Sequence, residues 1–117
     1  MQDHYLSDPL APLPFVTGEF DLGVLSHVLM HVPFENIEHS MAEAARVCRR
    51  VLVISATHIY WPRKGKSFDP KWHCFAHDYE GICKSLGLAY GGYTQIMQRE
   101  KEGAFGFVFA RRAADLP

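Results

Sequence analysis

The sequence has no long hydrophobic run, no excess of either charge and no apolar stretch of the signal-peptide type after its first residues. Its apolar runs are far shorter than the roughly 20 residues that cross a membrane, and the polar start Met1–His4 precedes no apolar segment. Lysine and arginine total 12 against 13 aspartates and glutamates, a net charge of −1. A general nucleic-acid-binding protein usually has a marked basic excess. We therefore expect no membrane and no nucleic-acid partner.

Paired cysteines are also missing. The three cysteines, Cys48, Cys74 and Cys83, are an odd number and have no CxxC spacing. Such usage is typical of free thiols in a reducing compartment rather than of a disulfide framework. The sequence therefore predicts a cytoplasmic protein.

The histidines offer only a weak metal-binding pattern. His27 and His31 are four residues apart, and His73, Cys74 and His77 form a cluster. Neither group has the flanking glutamate of HExxH or a matching CxxC. We expect no metal site.

What the sequence does contain is enough apolar material for one domain. Of its 117 residues 48% are apolar, which is close to the globular average. Apolar runs and helical spacings alternate along the chain in the order β-α-β-α-β-β. The predicted strands are Phe20–Ser26, Val51–Ala56, Leu88–Gln98 and Ala104–Arg111, and the predicted helices are Glu35–Cys48 and Tyr79–Leu86.

The predicted fold class is α/β. The first two strands read as continuous apolar runs, a pattern typical of strands buried on both faces. Buried strands joined by a helix form a parallel pair, whereas the last two strands, joined by a polar turn, form an antiparallel hairpin. We expect one mixed sheet over residues 1–117.

Several short motifs follow one another along the chain in a characteristic order and spacing. They are Leu13–Phe15, Phe20–Leu22, Ser26–Leu29, His31–Pro33, Glu43–Val47, Val51–Ile54 and Ser85–Leu88. Together they resemble the class I S-adenosylmethionine-dependent methyltransferases over nearly the whole chain, although no single motif is diagnostic. The resemblance implies a Rossmann-like sheet and S-adenosylmethionine as cofactor.

The resemblance assigns candidate cofactor-binding residues. Asp8, before the Leu-Pro-Phe motif, would accept a hydrogen bond from the adenine amino group. Ser26, His27 and Leu29 would line the methyl-donor pocket at the carboxyl end of the first strand. Ordinary structural roles remain open for some of these positions: a turn for Asp8, a simple hydrogen bond for His27, and packing or capping for His31.

The sequence lacks two of the family's cofactor-binding features. None of its nine glycines forms a GxGxG turn, and no acidic residue ends a second strand to hold the ribose. The chain therefore resembles the C-terminal half of the family's domain, from the fourth strand onward. Gly23 stands where the family usually has a larger apolar residue, which weakens a strand unless something packs closely there.

Methyl transfer is an in-line displacement in which positioning supplies much of the rate. An oxygen or nitrogen nucleophile can also require a base, and histidine has a suitable unperturbed pKa near 6.5. His27, His31 and His58 could each act as this base, and His27 and His31 are the candidate catalytic residues.

The segment from His58 to Ala76 is the candidate acceptor side. Long connections of this kind are often functional, and its rings and net positive charge suit a planar or anionic small molecule. An alternative is a solvated basic turn whose rings cover a helix. The candidate substrate-binding residues are His58, Tyr60, Trp61 and Trp72.

Two functions are compatible with this sequence. One is a methyltransferase of small molecules, present as a truncated catalytic domain. The other is a non-catalytic methyltransferase-like module that self-associates or binds a partner protein. Because the first strand would lack its usual neighbour, we expect a homodimer or larger homo-oligomer that covers it.

Overall fold

The structure, a computed structural model, describes residues 12–57, 67–69, 74–99 and 102–117. Its main feature is a four-stranded sheet in the order β1-β2-β6-β5, and a second, two-stranded sheet pairs β3 with β4. The elements are β1 (Phe20–Ser26), α1 (Ile37–Val47), β2 (Cys48–Thr57), β3 (Ser67–Asp69), β4 (Cys74–Ala76), α2 (Tyr79–Leu86), β5 (Ala89–Arg99) and β6 (Glu102–Ala110), with 3-10 turns at Leu29–His31 and Ala113–Asp115.

The strand pairing confirms the predicted α/β class. Strand β1 lies parallel to β2, while β6 runs antiparallel to both β2 and β5. The parallel pair and the closing hairpin are both as expected. The pair β3–β4 was not anticipated, because strands of three residues are too short to show an alternating pattern.

Both helices pack on one face of the sheet. Val51 and Val53 of β2 and Phe107 and Phe109 of β6 are almost fully buried there. They form one core with apolar residues of both helices. The helical residues of this core are Ile37, Met41, Ala44, Ala45 and Val47 of α1 and Tyr79 and Cys83 of α2.

Strand β1 is an edge strand, and the expectation that it is buried on both faces is wrong. Among the described residues it pairs with β2 alone. Phe20, Leu22 and Val24 alternate along it and remain 39%, 51% and 55% exposed. A continuous apolar run fits a buried strand and an uncovered edge equally well, so the pattern alone could not separate the two.

Gly23 of β1 has no room for a side chain. A Cβ atom added to Gly23 would lie 2.6 Å from Cys48 Sγ. Cys48 is buried, and it begins β2. The close approach of Cys48 therefore explains why β1 has a glycine here, although glycine usually weakens a strand.

Candidate active site

The β1–α1 loop, which we define as residues 27–36, begins with an abrupt change of direction. His27 has φ = 57°, the one positive value among the described non-glycine residues. Its N–H donates to Ile54 O at 2.7 Å, which holds it at the end of β2. Ser26 and His27 are both exposed at the carboxyl end of the strand, where open α/β sheets bind ligands.

The other two candidates in this loop differ in exposure. Leu29 is only 2% exposed and belongs to the core, so its side chain does not line an open pocket. His31 ends the 3-10 turn and is exposed. His27 thus precedes this short turn and His31 ends it, so the two histidines do not lie on one face of an α-helix.

The segment before β1, here called the N-terminal arm (residues 12–18), is held on α1 by two charged side chains. The Leu13 N–H donates to Glu43 Oε1 at 2.8 Å. Arg46 donates through Nη1 to Phe15 O and through Nη2 to Leu13 O, both at 3.0 Å. The Gly18 N–H donates to Arg46 O at 2.7 Å.

The two charged residues also bind each other. Arg46 Nε and Nη2 donate to the two carboxylate oxygens of Glu43 at 2.9 and 2.6 Å. This bidentate contact holds the pKa of Glu43 below its usual value and raises that of Arg46. Two motifs of the resemblance, the Leu-Pro-Phe motif and the end of the helix, are therefore one hydrogen-bonded unit.

This unit gives a first prediction. Arg46→Lys keeps the charge but loses the planar fork that reaches both carbonyls and the carboxylate. We expect amide exchange at Leu13 and Gly18 to accelerate about tenfold or more, because an arm without the guanidinium contacts separates more often from Glu43 Oε1 and the Arg46 carbonyl, which accept from these two amides. Hydrogen-exchange NMR measures this.

The matched control is Arg49→Lys, whose ion pair with Asp21 spans 3.4 Å between largely exposed side chains. Surface pairs of this kind contribute little. Equal exchange in the two variants would contradict a special role for the fork.

His77 lies between β4 and α2 and is 2% exposed. Burial lowers its pKa to about 4, and the carbonyls of Val32 and Leu29 offset only part of that effect. His77 does not cap α2. Asp78 does, with its carboxylate accepting from the Gly81 N–H at 3.1 Å.

The remaining candidates lie outside the described residues. They are Asp8 on the cofactor side and His58, Tyr60, Trp61 and Trp72 on the acceptor side. Sequence reasoning did not select Glu43 and Arg46 as a unit, although both stood in the motif Glu43–Val47. Their partners lie about 30 positions away along the chain, so no local spacing shows the contact.

Two searches were restricted to the described part of the chain. No helix there is long and apolar enough to cross a membrane. No three histidine, cysteine, aspartate or glutamate side chains come together there in a way that could hold a metal ion.

The two comparisons that found a match both point to methyltransferases. A sequence model of the methyltransferase domain matches residues 3–54, which include the N-terminal arm, β1, the β1–α1 loop and α1. Among solved structures, the geranyl diphosphate C-methyltransferase of Streptomyces coelicolor A3(2), crystallised with Mg²⁺, geranyl diphosphate and S-adenosyl-L-homocysteine, is similar in fold. A search of curated proteins found no match.

The similarity to that enzyme concerns the fold. The TM-score is 0.61 at 14% identity, over 90% of this chain and 52% of the enzyme. The chain therefore spans about half the length of the structure that it matches. The fold is therefore similar to that of an S-adenosylmethionine-dependent methyltransferase, and the domain match over residues 3–54 supports a methyltransferase domain.

Proposed function

We propose that this chain contributes the methyl-donor side of a cytoplasmic S-adenosylmethionine-dependent methyltransferase. The observation that carries the proposal is the end of β1, where Ser26 and His27 lie exposed beside a left-handed backbone turn. This position lies within the segment that matches the methyltransferase domain. The buried free thiols of Cys48 and Cys83 suit a reducing compartment.

The residues fit the cofactor in part. Exposed polar groups at a strand's carboxyl end suit the methionine and sulfonium end, and Asp8 is proposed to accept from the adenine amino group. The Gly-rich turn and the ribose carboxylate are missing from the sequence. We therefore expect weak binding by this chain alone. When bound, S-adenosylmethionine supplies an electrophilic methyl group.

In the proposed mechanism the chain's residues orient the reactants and accept a proton. Ser26 and His27, with the backbone at Leu29, line the methyl-donor pocket. The imidazole of His27 or His31 accepts the proton that an oxygen or nitrogen nucleophile loses. His58, Tyr60, Trp61 and Trp72 would bind a small-molecule acceptor, and the similar enzyme's geranyl diphosphate is an anionic molecule of small size.

Calorimetric titration with S-adenosylhomocysteine tests this function. We expect a dissociation constant near 1 mM, about −4 kcal/mol, and weaker binding for Asp8→Asn. The matched control is Asp21→Asn, whose side chain is 80% exposed on β1 and lies outside the proposed site. Wild-type protein that shows no heat at millimolar ligand would overturn cofactor binding and favour the non-catalytic module.

We also propose that the chain forms a homodimer through β1. Strand β1 has one described partner and carries the exposed row Phe20, Leu22 and Val24. Open apolar edges of this kind pair with other chains. A second strand at this edge would pair with the outer backbone groups of β1, and its side chains on the same face would flank the row and bury part of it.

Sedimentation velocity tests the dimer at micromolar concentration. Leu22→Lys is expected to give monomers, because the charge would be buried in the interface. The matched control, Tyr93→Lys, places the same charge on β5 at the opposite edge, where Tyr93 is 48% exposed. A monomeric wild-type protein would refute the dimer without affecting the cofactor proposal.

A further inference from the structure

His77 is an unusual residue in the described core. Leaving aside cysteine and tyrosine, it is the one buried polar or charged side chain there, at 2% exposed. Burying a polar ring is costly unless it is hydrogen-bonded. Its burial also keeps it from touching a substrate, so a role for His77 must act through the groups that it contacts.

Its hydrogen bond reaches the β1–α1 loop. His77 Nε2 lies 2.7 Å from Val32 O, and since a carbonyl only accepts, the neutral ring donates through Nε2. The same turn is closed by the N–H groups of His31 and Val32, which donate to Val28 O and Leu29 O at 3.1 Å. The imidazole thus fixes the end of the turn that separates the candidate residues His27 and His31.

The aromatic contacts of His77 join this loop to the segment that leads to α2. Phe34 of the β1–α1 loop lies 5.3 Å from the His77 ring, between centroids, and 4.9 Å from Phe75 of β4. Phe75 stacks on His77 at 6.0 Å, and Tyr79 at the start of α2 meets it at 5.6 Å. His77 therefore contacts both the β1–α1 loop and β4, which belongs to the segment from His58 to Ala76.

We propose that His77 is a positioning residue that fixes the β1–α1 loop against β4 and so couples the methyl-donor side to the acceptor side. The inference rests on the proposed function, because only that function gives the two sides their roles. The hydrogen bond to Val32 sets the loop's shape, and the rings of Phe34 and Phe75 carry the connection to β4. No proton is exchanged with substrate through His77.

Two amide variants separate the hydrogen bond from simple polarity. The side-chain nitrogen of His77→Gln can reach the place of Nε2 and donate to Val32 O, whereas that of His77→Asn is too short. Both bury an amide of the same chemistry. His39→Asn, on the exposed face of α1, is the control for the substitution itself.

Hydrogen-exchange NMR is the first measurement. In His77→Asn we expect the amides of His31 and Val32 to exchange about tenfold faster, the effect of about one lost hydrogen bond. Amides of α1 should be unchanged, and His77→Gln should retain most of the protection. Equal effects of the two variants, or acceleration spread over the whole chain, would overturn the positioning role.

Titration with S-adenosylhomocysteine is the second measurement. Where wild type and His77→Gln bind and shift the amides of Ser67–Asp69, His77→Asn should bind about tenfold more weakly and lose those shifts. Altered exchange with unchanged affinity and shifts would refute the coupling. If wild type does not bind, the proposed function fails and the coupling with it, while the exchange experiment still decides whether His77 fixes the loop.

Discussion

Lowering the pH from 7 to 5 is expected to remove about 2 kcal/mol of folding stability through His77 alone. The pKa of His77 is about 4 in the folded protein against 6.5 for an unperturbed histidine. Between these values the unfolded chain binds the proton and the folded chain does not. Stability that is complete above pH 6.5 is therefore lost progressively as the pH falls towards 4.

Urea unfolding at pH 7, 6 and 5 measures this loss, and His77→Gln is the reference because a glutamine does not titrate. The comparison cancels every titratable group that the two proteins share, including the other histidines and the carboxylate of Glu43, whose pKa is lowered by Arg46. Parallel curves for the two proteins would show that His77 is protonated without cost and would contradict its burial.

Replacing Gly23 with alanine is expected to destabilise the protein by about 1–3 kcal/mol, the usual cost of overpacking a core. The added Cβ would lie 2.6 Å from Cys48 Sγ but 3.5 Å from Cys48 Cβ. Removing the sulfur should therefore relieve the clash. In the double variant Gly23→Ala/Cys48→Ala, most of the loss caused by Gly23→Ala should be recovered.

A double-mutant cycle in urea makes this quantitative. Cys48→Ala alone supplies the cost of the missing sulfur, so a coupling energy of about 1 kcal/mol or more would assign the destabilisation to this one contact. Additive effects would mean that the Cys48 side chain rotates away and that the close approach does not constrain β1.

The sequence predicted the elements of the main sheet because they repeat clear local patterns. The apolar run Phe20–Ser26 and the apolar stripe of α1 can each be recognised within a short window of sequence. The boundaries moved where local signals overlap: α1 ends at Val47 and β2 starts at Cys48, three residues before the predicted strand. Extended backbone can begin at polar positions such as Arg49, which an apolar run does not include.

The candidate site was predictable only as far as its motifs are local. Ser26 and His27 follow the strand directly, so the carboxyl-end rule locates them without any tertiary information. His77 binds Val32, which is 45 positions away along the chain. A pattern within a short stretch of sequence cannot predict such a contact. The alternation of Phe75, His77 and Tyr79 could have suggested a shared buried cluster. A strand of three residues is too short to be predicted from sequence, so the alternation had no predicted strand to belong to.

The contacts of Arg46 with the N-terminal arm tie together residues that are up to 33 positions apart. These contacts close a loop that contains β1 and most of α1. Several hydrogen bonds share the conformational entropy cost of closing that one loop. The N-terminal arm, β1 and α1 are therefore joined by side-chain contacts as well as by the chain itself. The stretch 3–54 that matches the methyltransferase domain contains this closed loop.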